Sequence, residues 1–140
     1  FSVGIIGNAG NFEVLPILEV DYSLLAKDLP QILAYEAKWV PDSSYWDQIN
    51  CKEAGLDENT YMQIVNSSKI LFERLGCRDY ARFDFRCDAT GTPKLLEVNP
   101  NPGWCWDGKM SLMAEFAGMD YSALLDMILS AMQDRLQAKN

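Results

Sequence analysis

No histidine occurs among the 140 residues, so imidazole acid–base catalysis and histidine metal ligation are excluded within this chain. Basic residues are scarce: 12 Lys and Arg stand against 20 Asp and Glu, a net charge of −8. That balance argues against a nucleic-acid partner, because phosphate-backbone binding needs clustered Lys and Arg. Long apolar runs are absent as well, and no basic-then-apolar leader is present, so no membrane partner is expected. Cys51, Cys77, Cys87 and Cys105 form no CxxC pair, which makes a zinc site improbable. Reduced thiols in a cytoplasmic protein are the expectation.

What the chain does have is apolar material. It is 49% hydrophobic, enough for one globular core in a chain too short for two ordinary domains. It begins at Phe1 and runs directly into SVGIIG, as if a strand were already under way, which suggests a piece of something longer.

SVGIIG (Ser2 to Gly7) and VLPILEV (Val14 to Val20) are short β-rich runs separated by the turn cluster GNAGNFE. They predict a hairpin, with Pro16 placing its strand at an edge or a bulge. From Asp28 to Asn50 there is no clear period, and the segment reads as a long ordered loop with a short strand or turn inside. Tyr61, Ile64, Ser68, Leu71, Phe72 and Leu75 recur at three and four, predicting a helix over 57–76 with Asp57 as N-cap and Gly76 as stop. A second helix is predicted over 121–137, capped by Asp120, with Leu124, Leu125, Ile128, Leu129, Met132 and Leu136 on one face.

Between the helices lies YARFDFRCDATGTPKLLEVNPNPGW. In ARFDFRCD the apolar residues alternate with Arg82, Asp84, Arg86 and Asp88, DATGTP is a turn, and KLLEVN returns. A hairpin symmetric about Thr90–Gly91 sets Phe83 opposite Val98 and Phe85 opposite Leu96. On the other face it sets Arg82 opposite Asn99, Asp84 opposite Glu97, and Arg86 opposite Leu95. Two carboxylates level with each other repel by up to roughly 1 kcal/mol even on a wet sheet. A hard dication between them is one resolution, since Mg²⁺ takes one or two carboxylates and fills its remaining positions with water and phosphate oxygens. Asn99 would add a carbonyl oxygen, and Arg82 could meet developing negative charge. The alternative is a solvent-facing hairpin whose charges neutralise one another.

These residues resemble a known family. RFDFR…LLEVNPNPG is similar to the metal-binding segment of the ATP-grasp ligases, most closely the D-alanine–D-alanine ligase group. There an Arg-x-Asp is followed thirteen positions later by Glu-x-Asn, then three residues and Gly. Arg82, Asp84, Glu97, Asn99 and Gly103 fit each position, YEAK (Tyr35 to Lys38) resembles the family's loop segment, and FSVGIIG resembles the strand after its adenine-binding linker.

The resemblance implies an α+β fold, an antiparallel sheet with flanking helices that forms the C-terminal portion of an ATP-grasp fold over residues 1–140. The N-terminal and central domains would lie outside this chain. It implies ATP and two Mg²⁺ ions, with Mn²⁺ as a substitute: Asp84 and Glu97 on one ion, Glu97 and Asn99 on the other. Lys38 would neutralise phosphate, Leu96 would lie under the adenine, and Arg82 with the Gly103 N–H would stabilise a tetrahedral intermediate. Simple alternation instead puts Leu95 on the face of Glu97. The implied partners are a small-molecule carboxylate and an amine; the oligomeric state is not readable, a homodimer being one option for the complete protein.

Departures from the family pattern fall on the substrate side. Where the D-alanine enzymes offer a small hydroxyl residue to the second amino acid, this chain has Gly108–Lys109, and Lys109 could supply a different anion contact. Trp104 and Trp106 would crowd or reshape the acceptor pocket unless they serve packing, and Trp39 replaces the Tyr usual after the loop lysine. Two alternatives to a ligase stay open: a non-catalytic ATP-grasp-shaped nucleotide- or metal-binding domain, and a simple acidic divalent-ion-binding domain.

Overall fold

The computed structural model describes residues 1–33, 40, 43, 45 and 47–138. The chain divides into two compact units, Phe1–Leu18 with Glu53–Asn140, and Glu19–Lys52.

The larger unit is built on an antiparallel sheet. Its centre is β1 (Ser2–Asn8), which pairs with β2 (Asn11–Val14) and with β5 (Asp79–Cys87); β5 pairs in turn with β6 (Pro93–Asn99). At its start, Ser2 of β1 also pairs with Leu18, the first residue of β3 (Leu18–Asp21). The first hairpin is tighter than the sequence pattern predicts. Asn8 pairs with Asn11 across Ala9–Gly10, so Asn11 to Glu13, assigned to the turn, are strand. A Cβ at Gly7 (φ +123°) would meet the Asn11 carbonyl oxygen at 2.1 Å, so only glycine fits there. The second run breaks at Leu15–Ile17, around Pro16.

Alternation sorts the sheet into two faces. Val3, Ile5, Ala81, Phe83 and Phe85 form a buried cluster with Ile17 and with Ile64, Val65 and Phe72 of helix α1 (Glu58–Arg74). At the cluster's centre the Phe72 ring meets Phe12 edge-on at 5.2 Å and Phe83 at 6.4 Å. Ser2, Gly4 and Ile6, with Tyr80, Arg82 and Asp84, lie on the opposite face. That face carries α2 (Lys109–Phe116) and α3 (Tyr121–Gln137). A Cβ at Gly4 would meet the Met110 sulfur at 2.8 Å, so the glycine lets α2 approach β1. Helices therefore cover both faces, as the family resemblance implied.

The helix ends follow their capping chemistry. Asp57 accepts the Thr60 N–H at 3.0 Å. At the other end Gly76 has φ +65°, its N–H donates to Glu73 O, and Cys77 N–H donates to Phe72 O, a Schellman arrangement. The buried stripes are narrower than the sequence period suggests. In α1, Tyr61 and Leu75 are exposed while Val65 is buried. In α3 the buried line is Leu124, Ile128 and Ala131, while Leu129 and Leu136 are exposed rim. Helix α2, within the stretch after the Pro–Gly break, was not expected; its signal was Met110, Met113 and Ala114, all buried, ahead of Gly118 (φ +74°).

A polar tie fixes α3 to the start of β5. Asp79, a non-glycine residue at φ 68°, accepts Arg135 Nε at 2.7 Å and Nη2 at 2.6 Å. Asn8 accepts the Asp79 N–H and donates to Ala131 O. The Arg135 guanidinium holds the Asp79 carboxyl below its ordinary range. These bonds hold a backbone conformation that costs about 1–3 kcal/mol.

In the smaller unit, β3 pairs with β4 (Asn50–Glu53), a short strand at the end of the stretch read as a loop. Lys52 Nζ lies 2.8 Å from Asp21, and its hydrogen bond draws the Asp21 carboxyl down to about 2. Among the described residues no helix is long and apolar enough to cross a membrane, and no disulfide joins the four cysteines.

Phe72 is completely buried between two aromatic rings and the sheet. Phe72→Ala should cost about 3–5 kcal/mol, read as a lower urea midpoint with an unchanged slope. A loss below about 1 kcal/mol would show that the core does not centre here.

Candidate functional site

The β5–β6 hairpin sets Arg82 opposite Asn99, Phe83 opposite Val98 and Asp84 opposite Glu97, as the symmetric register predicts. Beyond that point the prediction fails. Phe85 pairs with Leu95, not Leu96, and Arg86 with Lys94, not Leu95, because the register shifts between Asp84 and Phe85. Leu96 is the extra residue of a β-bulge. Its side chain is freed from strict alternation and is 65% exposed. The bulge removes the conflict between alternation, which gave the face of Glu97 to Leu95, and the resemblance, which singled out Leu96.

Asp84 stands at the centre of the cluster. Arg82 donates to it from Nε at 3.1 and 3.3 Å and from Nη2 at 2.9 Å. Ser2 Oγ donates to Asp84 Oδ1 at 2.5 Å. Lys109 Nζ lies 3.7 Å from the same oxygen and donates to Ser2 Oγ at 2.9 Å. Burial pushes the Asp84 carboxyl upward, but Arg82, Lys109 and Ser2 together outweigh it and leave the group below the ordinary carboxylate range. Arg82 Nη2 also reaches Glu97 Oε1 at 3.9 Å. A side-chain cation thus leans between the two carboxylates, the neutralisation that the hairpin pattern offered as the alternative to a dication. Asp84 is largely enclosed, whereas the Glu97 side chain is 60% exposed.

The donor set suits a hard dication: two carboxylates and one amide carbonyl on one strand-end face. Among the described residues no group of three Asp, Glu, Cys or His side chains converges, so water and phosphate oxygens would have to complete any coordination sphere. Asn99 Oδ1 accepts the Asn101 N–H at 3.0 Å and keeps a second lone pair.

The Pro–Gly segment is held by a small network. Tyr80 donates to Asn101 Oδ1, Trp104 Nε1 donates to Tyr80 Oη at 2.5 Å, and Tyr121 Oη donates to Trp104 O at 2.6 Å. The Tyr80 and Trp104 rings meet edge-on at 5.7 Å. Trp104 thus packs, though it is 49% exposed; Trp106 is 72% exposed. A Cβ at Gly103 would meet only Cys105 Sγ, at 4.0 Å, so the space above this glycine is open. Gly108 differs: its N–H donates to Cys105 O at 3.0 Å, and a Cβ there would meet that oxygen at 3.1 Å.

Arg82, Asp84, Glu97 and Asn99 are therefore brought together, with Gly103 on the loop that follows. Lys109 stands beside Asp84. Lys38, Tyr35 and Trp39 lie outside the described residues. Sequence reasoning missed Ser2 and Tyr80. Their signal was parity, since both fall on the Arg82–Asp84 face once β1 and β5 are paired.

Comparison with known proteins gives the family. A family profile described as D-ala D-ala ligase C-terminus matches residues 1–130, and the chain belongs to that family. An uncharacterized protein of Sinorhizobium fredii is 34% identical over 137 residues, covering 95% of this chain and 38% of that protein. The D-alanine–D-alanine ligase of Burkholderia thailandensis is 32% identical over 128 residues, covering 89% of this chain and 40% of that protein. The chain spans about two-fifths of the length of these relatives. Among solved structures, D-alanine–D-alanine ligase from Bacillus anthracis complexed with ATP matches with a TM-score of 0.70 at 21% identity, over 99% of this chain and 40% of that one. The Coxiella burnetii enzyme matches at 0.71 with 19% identity, over 99% of this chain and 32% of that one. The fold is the C-terminal part of an ATP-grasp fold.

Because the folded Asp84 carboxyl lies below its ordinary value of 3.8, its stabilisation is complete above that pH and fades as pH falls through the lower folded value. The stability gap between the native chain and Asp84→Asn should therefore stay level down to about pH 4 and shrink as the pH falls further. A gap that stays constant in urea titrations would place the cations elsewhere.

Proposed function

We propose that this chain is the C-terminal catalytic part of an ATP-dependent ligase that joins a carboxylate to an amine. The observation that carries the reading is the strand-end cluster in which Asp84 meets Glu97, Arg82 meets Asn99, and Arg82 contacts both carboxylates. Family membership over residues 1–130 supports it.

The reaction has two steps. A substrate carboxylate oxygen attacks the γ-phosphorus of ATP, ADP leaves, and an acylphosphate forms. An amine nitrogen then attacks the acyl carbon, giving a tetrahedral intermediate that expels phosphate as the nitrogen loses its proton. The first step asks for positioning and charge neutralisation rather than covalent help, which suits a chain without histidine. By the family pattern Asp84 and Glu97 would hold one Mg²⁺ and Glu97 with Asn99 a second; any dication held there would neutralise and orient the phosphates. The exposed Leu96 would lie under the adenine, and Lys38 would contact phosphate. In the second step the Arg82 guanidinium and the Gly103 N–H would stabilise the oxyanion.

The acceptor differs from that of the D-alanine enzymes in this reading. The Gly108 N–H is already used by Cys105 O, and the same oxygen crowds the position of any side chain there. Trp104 and Trp106 instead give the acceptor side an aromatic wall.

The test is phosphate release by the full encoded protein with Mg²⁺, ATP and a panel of amino acids and hydroxy acids. Glu97→Gln should lower release by about 10²–10³-fold, the scale of removing one preorganised electrostatic partner, with folding retained. Unchanged release would reject the assignment of Glu97. The 140-residue chain alone should show no ligase turnover, and robust turnover by it would overturn that expectation.

A further inference from the structure

Lys109 is the first residue of α2, where the helix dipole disfavours a cation. Its side chain is nevertheless 79% covered, with Nζ 2.9 Å from Ser2 Oγ and 3.7 Å from Asp84 Oδ1. Asp84 already carries the Arg82 guanidinium at 2.9 Å. Two fixed cations therefore attend this one largely enclosed carboxylate. The four charges of Asp84, Glu97, Arg82 and Lys109 sum to zero before any ion arrives.

The residue that Lys109 holds and the second carboxylate lie on opposite sides of β5. Ser2, which Lys109 holds, belongs to β1 on one side; Glu97 and Asn99 belong to β6 on the other. A dication at Asp84 would have to approach Lys109 and Arg82 together. An ion held by Glu97 and Asn99 would still meet Arg82, whose Nη2 is 3.9 Å from Glu97, but would lie across the strand from the lysine's contacts.

We propose that Lys109 takes the place of one divalent ion at Asp84, so that the site loads a single dication, held by Glu97 and Asn99, where the family pattern implies two. The inference rests on the ligase reading above and deepens it. It also gives Lys109 a role apart from the acceptor anion: the lysine fixes the metal count.

The experiment counts Mn²⁺ bound to the full encoded protein in the presence of a non-hydrolysable ATP analogue, by electron paramagnetic resonance. The native protein should bind one ion. Lys109→Met should bind a second, with affinity for that ion raised about 10- to 1,000-fold, the reach of one charge at 4–6 Å. Lys109→Arg, which keeps the charge, should bind one, separating charge from packing. Two ions in the native protein, or a Lys109→Met variant that binds as the native protein does, would overturn the inference and leave the ligase reading standing. No analogue-dependent Mn²⁺ binding in any of the three would overturn both.

Discussion

The structure turns on two like charges held level across neighbouring strands. Asp84 and Glu97 cannot slip apart, because Phe83 and Val98, the next pair along, are packed into the cluster beneath α1. Side chains alternate with period two, so a one-residue slip would bury Asp84 and expose Phe83. The hydrophobic core thus enforces a carboxylate pair that costs up to roughly 1 kcal/mol by itself. Arg82, two residues from Asp84 on the same face, relieves that cost by contacting both partners. The contacts of Asp84 with Ser2 and Lys109 come from the other side, where β1 pairs Ser2 with Asp84.

The bulge next to the pair is part of the same arrangement. One extra residue in β6 lets Glu97 stay level with Asp84 while Leu95, not Leu96, comes opposite Phe85. Without it, Leu96 would face the core with Phe85, and Leu95 instead of Leu96 would share the face of Glu97. With it, a large aliphatic residue stands exposed beside the carboxylate, which otherwise would waste its burial. On the ligase reading that exposed surface would be the adenine's floor.

Much of this was legible in the sequence, for physical reasons that vary by element. The charged hairpin could be read because its core-facing alternation is strict up to Asp84 and Glu97. It stopped being readable at Leu96, since a bulge leaves no mark in an apolar KLLE run. Helix α1 was legible from Asp57, Gly76 and a clear period, but the width of its buried stripe was not. Tyr61 and Leu75 belong to the stripe by spacing, yet only tertiary contact decides which rim of it is covered. Helix α2 was hidden by its own start, because Gly108 offers no side-chain cap and the preceding WCWD reads as loop. Ser2 and Lys109, separated from Asp84 by 82 and 25 positions, could be placed beside it only after β1 and α2 had been docked.

The substrate side is joined to the same strand. Tyr80, Arg82 and Asp84 project from one face of β5 at intervals of about 7 Å, and each receives a different part of the chain. Tyr80 takes the Trp104 indole and Asn101, which fixes the Pro–Gly segment. Arg82 reaches across to Glu97. Asp84 takes Ser2 and, beside it, the lysine that opens α2. The segment from Trp104 to Lys109 is therefore pinned at both ends to the strand that carries the proposed chemistry. Between those pins only exposed residues such as Trp106 and Asp107 are left without a tie to the cluster. A change of acceptor is thus easiest between the pins, whereas a change at either pin would also disturb the carboxylate that the register places at the centre.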